Sequence, residues 1–358
     1  MKYDVSHVLF TAGTGREEWR YATDLIRSLA DLEIRSTLVT MGTEPTSDQL
    51  QEAGAIAGLD LITSVFRLEE MEDPWGDVDA AGLWLLALAR QIEPDLIHLR
   101  SAIHASMPFE PPVVAAFHGL PALAKDDPEY RRRLDLGLHL ADLVVASTHT
   151  ALLNLPIKAG SNARSVVVPI GVEDGKTSGA AKRNMVLAVC PPGSKGKALL
   201  EEVAPGLEWP LYIAGENGPS ATRLPNLIRL GAIRAATLGA WFARTAVYAM
   251  PSSHAPIAYD VQDAAMAGSA LVLGDEPALR ERWDGIARFV DPRPESWRRT
   301  LNELSQAPDH VAAMGARAKA RAKEFTARDM ARTMQGVYRD LRLACLLDAK
   351  PDRRARML

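Results

Sequence analysis

The sequence repeats one alternation along most of its length. A short, continuously apolar run meets a loop of small or polar residues, and a segment with apolar positions at helical spacing follows. The first instance opens the chain. His7-Val8-Leu9-Phe10 runs into Thr11-Ala12-Gly13-Thr14-Gly15, and Trp19, Ala22, Leu25, Ile26 and Leu29 then recur on one helical face. A second apolar run over 34–40 completes a strand–helix–strand unit. The pattern continues with a helix over 83–92, strands over 95–99 and 113–117, a helix over 130–140, and strands over 143–146 and 166–169. Strands that are apolar throughout, rather than at every second position, belong to parallel sheets covered on both faces.

The alternation breaks once. Residues 173–184 (EDGKTSGAAKRN) hold glycine, serine and lysine without apolar periodicity, and read as an interdomain linker. It then restarts, with strands over 185–189, 211–214, 227–230, 246–249, 270–273 and 287–290, and helices over 197–203, 235–244 and 262–267. From Ser296 onward only helical patterns remain. The expected organisation is an α/β chain of two Rossmann-like parallel-sheet domains, 1–172 and 185–335, joined by the linker 173–184. A C-terminal helix and tail over 336–358 would cross back to the first domain. A chain of 358 residues is also too long for one ordinary core. Ligands of such sheets bind outside the carboxyl ends of the strands, so a cleft between the two domains is the expected site.

Charge and cysteine content narrow the function classes. A net charge of −4 argues against a nucleic-acid binder. Two distant cysteines, Cys190 and Cys345, form neither a disulfide framework nor a zinc spacing, and suit a reducing cytoplasm. The N-terminal apolar run is too short for a signal peptide, and no run of about 18 apolar residues is present to span a membrane. Arg317, Lys319, Arg321, Lys323, Arg353, Arg354 and Arg356 make the C-terminal end locally basic. This reads as a solvated helix face, with peripheral attraction to anionic lipid as the alternative.

The most specific stretch is 251–269, PSSHAPIAYDVQDAAMAGS, followed by the apolar strand ALVLG. Together with KGKALL (195–200), LYIAGENGP (211–219) and LRERWDGIARFVDP (279–292), it resembles the nucleotide-sugar domain of the retaining family 4 glycosyltransferases, which have the GT-B fold. In the first half, PDLIHLRS (94–101), VVAAFHG (113–119), ADLVVAST (141–148) and VVVPIGVED (166–174) resemble the same bacterial family in order and spacing. The resemblance covers nearly the whole chain except its C-terminal tail.

The resemblance implies roles for particular residues. Lys195 stands where the family has a phosphate-binding lysine, a cation that offsets the charge of the leaving diphosphate. Asp263 stands where a glutamate accepts hydrogen bonds from ribose, at or just before a helix N-terminus. His118 matches a family histidine that positions the reacting sugar. Gly13, Gly15 and Gly215 lie in loops where backbone can approach a ligand, although their spacing is generic. Each position also has a plainer reading: a solvated loop lysine, an aspartate favouring a helix dipole, a packed histidine.

The chain departs from the family pattern in four places. Its phosphate-fork arginine falls on Cys190, and a thiol cannot replace a guanidinium. The first glutamate of its paired acidic motif falls on Ala255, and the phenylalanine–glycine that follows falls on Ile257-Ala258. The paired glycines of the first loop fall on Arg16 and Glu17. The expected function is therefore transfer of a hexose from a nucleoside diphosphate sugar to a saccharide or other small acceptor. The family resemblance implies retention and a mechanism without metal or cofactor, with domain closure excluding water. The alternatives are an impaired pseudo-enzyme acting as a binding or partner subunit, and a sugar-nucleotide epimerase of related fold. The acceptor is assigned to variable loops over 100–110 and 122–129.

Overall fold

The computed structural model describes residues 4–118, 127–155, 164–173, 180–190, 194–215, 224–251 and 258–347. The chain forms two compact units: Met1–Gly171 with Ala327–Leu358, and Val172–Thr326. The first runs β1 (His7–Gly13), α1 (Arg16–Ala30), β2 (Arg35–Met41), α2 (Ser47–Gly54), β3 (Leu59–Thr63), α3 (Trp75–Ile92) and β4 (Leu96–Leu99). A 3-10 helix (Ala102–Ser106) follows, then β5 (Val113–Phe117), α4 (Pro128–Leu140), β6 (Leu143–Ala146), α5 (His149–Leu153) and β7 (Ser165–Val167). Its seven strands lie in the order β3-β2-β1-β4-β5-β6-β7, all parallel.

The second unit runs β8 (Arg183–Val189), α6 (Lys195–Val203), β9 (Leu211–Ala214), β10 (Leu227–Gly231), α7 (Ala235–Arg244), β11 (Thr245–Met250) and α8 (Tyr259–Met266). It continues with β12 (Ala270–Gly274), α9 (Pro277–Trp283), β13 (Arg288–Val290), α10 (Pro294–Ser305) and α11 (Pro308–Ala322). The sheet order is β10-β9-β8-β11-β12-β13, again parallel. Both sheets thus wind outward from their first strand and then reverse, the doubly wound order with its switch point beside the first strand. That switch lies between β1 and β4 in one unit, and between β8 and β11 in the other.

The last helix, α12 (Ala327–Leu347), belongs to the first unit. Its buried residues Ala327, Met330, Ala331, Met334, Tyr338 and Leu341 recur every three or four positions, which gives one apolar face. That face packs on α1. The C-terminal segment therefore crosses back as expected, but its return begins at Ala327, within the stretch assigned from sequence to the second domain. At the other end of the linker, Arg183 already belongs to β8. Lys182 before it is held, with Nζ donating to the Phe242 carbonyl and to Ser269 Oγ.

Several elements escape the sequence reading, among them β3, α2, α5 and α9. The edge strand β3 is only half-buried, and α2 buries only Ala53, so neither presents the continuous apolar pattern that marks the others. The stretch 100–110, expected as a variable acceptor loop, holds a short helical turn. Ala102, Ile103, His104 and Ala105 form a buried 3-10 turn under α4. The approach is so close that a Cβ at Gly137 would lie 1.7 Å from the Ala102 carbonyl oxygen. The loop 122–129 lies mostly outside the described residues, and its end enters α4. Among the described residues no helix is long and apolar enough to cross a membrane.

The Gly137 contact is with backbone and cannot yield cheaply. Gly137→Ala should lower the thermal midpoint sharply, at a cost of about 2 kcal/mol or more. Gly239→Ala, in the exposed interior of α7 where no atom lies within 4 Å, should raise it slightly, by roughly 0.5–1 kcal/mol. Melting curves of both variants check this.

Candidate active site

In the first unit the strand ends at the switch point carry a dense ionic group. Gly13 ends β1 and Arg100 follows β4. The Arg100 guanidinium donates from Nε to Glu18 Oε2 at 2.8 Å, and from Nη2 to Glu18 Oε1, a bidentate fork. Its Nη1 reaches Glu69 Oε2 at 2.6 Å and its Nη2 reaches Glu70 Oε1 at 2.9 Å. The Arg100 N–H donates to Thr11 Oγ1 at 2.9 Å, which ties the group back to β1. Three carboxylates surround one buried cation, so negative charge is in excess. Burial opposes ionisation of Glu69, yet Arg100, Ser101 and His104 hold its pKa below the usual range. Glu70 goes the other way. Burial raises it, Arg100 only partly offsets this, and Glu69 and Glu18 repel its charge.

Gly13 and Gly15 acquire distinct meanings here. The Gly13 N–H donates to Glu18 Oε2 at 2.9 Å, and a Cβ at Gly13 would fall 2.3 Å from that oxygen. The close approach that the glycine permits is to an internal carboxylate in the first turn of α1, where the helix dipole also favours a negative charge. Gly15 caps α1 with ordinary backbone angles, and no atom lies within 4 Å of where its Cβ would be. Arg16 and Glu17 are the first two residues of α1, so the positions of the family's paired glycines have become helix.

His118 directly follows β5. Its ring sits edge-on to Tyr21, with centroids 4.6 Å apart and planes at 69°. Burial lowers its pKa to about 4, against the opposing charge of Glu18. The imidazole is therefore neutral at physiological pH, with one N–H donor and one acceptor nitrogen. Both nitrogens are buried, and neither has a hydrogen-bond partner among the described residues. Leaving a buried polar group unpaired costs about 1–3 kcal/mol, so such a group calls for a partner.

In the second unit the switch point brings α6 and α8 to adjacent strands. Lys195 is the first residue of α6 and is exposed. Ser194 caps the helix, its Oγ accepting from the Lys197 N–H at 3.3 Å. The helix start lies close to the end of β11, since a Cβ at Gly196 would be 3.2 Å from the Pro251 carbonyl oxygen. A cation at a helix N-terminus beside a switch point suits a phosphate.

Asp263 is half-buried and lies in the second turn of α8, because that helix starts at Tyr259 rather than at Gln262. The expected place at the helix N-terminus is corrected accordingly, and Asp260 is the acidic residue of the first turn. Gly215 has φ +103°, and its Cβ would lie 2.6 Å from the Cys190 carbonyl oxygen. Glycine is required there by backbone packing.

Cys190 is 4% exposed and belongs to the core of this unit, so an arginine in its place would have to bury or extricate a charge. Ala258, at the family's glycine position, caps α8 with φ +47°, a left-handed conformation that strains a residue with a Cβ. Ala255 lies outside the described residues.

The structure thus groups Gly13 with Glu18 and Arg100, places His118 beside Tyr21 within the same unit, and sets Lys195 and Asp263 on the helices after β8 and β11. Sequence reasoning missed Glu18, Glu69, Glu70, Tyr21, His98 and Tyr338. A histidine inside the apolar run Leu96-Ile97-His98-Leu99 was the available signal for the last group, since a buried strand histidine needs partners.

The ionic group yields a test with opposite signs. Glu69→Gln removes a charge that Arg100 needs and should cost about 2–3 kcal/mol at pH 7. Glu70→Gln keeps an acceptor for Arg100 and removes repulsion, so it should leave stability unchanged or raised at pH 7. The raised pKa of Glu70 means that its ionisation opposes folding above the ordinary glutamate range. The difference between Glu70→Gln and the parent should therefore vanish as pH falls through that range. Denaturant unfolding at pH 7 and pH 4.5 checks both.

Residues 19–176 match the family model described as Glycosyltransferase Family 4. No curated protein matches in sequence. Among solved structures the chain is similar to sucrose-phosphate synthase from Thermosynechococcus elongatus, at 13% identity and TM-score 0.78, covering 95% of this chain and 100% of that one. It is also similar to a glycosyltransferase from Rickettsia africae ESF-5, at 12% identity and TM-score 0.72, covering 97% and 100%. A third is HepE from Anabaena in complex with UDP and glucose, at 14% identity and TM-score 0.72, covering 93% and 99%. At these identities the likeness is one of fold. The chain therefore has the GT-B fold of these glycosyltransferases, and the stretch that matches the Glycosyltransferase Family 4 model lies almost wholly in its first unit.

Proposed function

We propose that the protein transfers a hexose from a nucleoside diphosphate sugar to a saccharide or other small acceptor, with retention and without a metal. The observation that carries the reading is His118: a neutral, buried imidazole at the end of β5 whose two nitrogens have no partner among the described residues, within the stretch that matches the family model. A neutral imidazole both donates and accepts, which suits sugar hydroxyls. Its role is to orient the reacting ring, and its low pKa speaks against proton donation near neutral pH.

In the second unit Lys195 offsets the charge of the departing diphosphate, and Asp263 accepts from ribose hydroxyls. The bond from the anomeric carbon to the diphosphate oxygen breaks, and a bond from that carbon to an acceptor oxygen forms. The acceptor proton leaves with the diphosphate. Retention and metal independence rest on the family resemblance. That a similar fold, HepE, is known with UDP and glucose makes uridine the first base to try.

A second reading, a binding subunit without turnover, is favoured by Cys190. A core thiol where the family has a guanidinium removes one charge-assisted contact to phosphate.

Titration calorimetry with UDP, GDP and ADP, without added metal, separates the two. The transferase reading expects micromolar binding of one nucleotide, weakened about ten- to a hundredfold in Lys195→Ala. Absence of binding by all three would favour the second reading.

A further inference from the structure

Among the described residues no group hydrogen-bonds the His118 ring, so within them its orientation is set by packing. The ring of Tyr21 packs edge-on against it. Tyr21 is in turn pinned at its hydroxyl, 3.4 Å from His98 Nε2, and its ring is tilted against the His98 ring at 6.0 Å. The other nitrogen of His98, Nδ1, lies 2.6 Å from the hydroxyl of Tyr338 on α12. Phe10 stacks on His98 at 5.1 Å and closes its remaining face. Tyr21, His98 and Tyr338 are buried. These contacts run in series from the C-terminal helix through β4 and α1 to the residue that follows β5. Tyr338 and His98 are 240 residues apart in sequence.

We infer that Tyr21 is a positioning residue for His118, and that α12 holds it in place through the Tyr338–His98 hydrogen bond. The inference rests on the reading of His118 as the residue that meets the sugar. Its chemistry is that of a neutral relay. His98 carries one proton on its ring, so one tyrosine must donate to it while the other accepts from it. Fixing the role of Tyr338 fixes the tautomer of His98, and so the direction of the Tyr21 hydroxyl. No charge needs to appear in the buried chain. Without the Tyr338 hydroxyl, one His98 nitrogen loses its partner and can seek another. Tyr21 is then free to shift, and the His118 ring turns with it. A small misplacement of a group that orients a reacting sugar lowers turnover more than binding.

The experiment reads the His118 ring itself. In the full chain labelled with 15N-histidine, the ring resonances of His118 are assigned by their loss in His118→Gln. They are then followed in Tyr338→Phe, in Tyr21→Phe and in Leu341→Ala. Leu341 lies on the same buried face of α12 but outside the relay, so it reports loss of helix packing alone. The inference expects the His118 resonances to move in both tyrosine variants and to stay in place in Leu341→Ala. In a donor-turnover assay Tyr338→Phe should lower kcat on the order of tenfold with KM for the nucleotide sugar unchanged.

Unmoved His118 resonances in Tyr338→Phe and Tyr21→Phe would overturn the inference, as would the same movement in Leu341→Ala. The spectroscopic arm needs no turnover. Moved resonances in a protein that transfers no sugar would uphold the relay and count against the transferase reading alone.

Discussion

Parallel strands that are apolar on both faces must be covered on both faces, and this requirement organises the chain. In the first unit the strands leave an apolar surface that α1 covers only in company with another helix. The chain supplies that helix from its far end: α12 returns to the first unit and lays Met330, Met334, Tyr338 and Leu341 against the buried side. Burying such side chains contributes roughly 1.5–3 kcal/mol each. The Tyr338 hydroxyl would be a liability in that interface without a partner, and His98 on β4 supplies one. The covering helix and the strand-end histidine are thereby joined through a single buried polar chain.

The switch point of the same sheet shows a second consequence. Strand ends at a switch point offer free backbone and room for a ligand. In the first unit much of that opportunity is taken up internally. Glu18 occupies the Gly13 N–H, and Arg100 binds Glu18, Glu69 and Glu70 at once. Among the described residues both imidazole nitrogens of His118 have no hydrogen-bond partner, and Glu70 Oε2 has none either. The second unit keeps the opposite character at its switch point, with the exposed cation Lys195 opening α6. The two units therefore carry different chemistry at their strand ends, a neutral imidazole in one and an exposed cation at a helix start in the other.

Most of the fold was legible because it follows from a strong period. Continuous apolar strands and helical apolar faces identified both sheets and the returning C-terminal helix. The losses have physical reasons. The edge strand β3 and the helix α2 bury too little to stamp a pattern, and the onset of α12 carries no boundary signal in a run of consecutive helices. The resemblance singled out His118 and Lys195, which the structure places after β5 and at the start of α6. The site was illegible where partners come from distant segments. Nothing local connects Arg100 with Glu18 and Glu69, or His98 with Tyr338, since these pairings are made by the sheet order. The left-handed backbone at Ala258 was likewise hidden, because alanine gives no hint of a conformation that glycine adopts freely.

The central claim is that His118 orients the sugar of a nucleotide donor. The most direct test is the initial rate of nucleoside diphosphate release from each of a panel of nucleotide sugars, for the parent chain and for His118→Gln. The account predicts release from one donor, a fall in kcat on the order of a hundredfold in the variant, and a donor KM that barely changes. Release at the parent rate by His118→Gln, or no release from any donor by the parent, would contradict it.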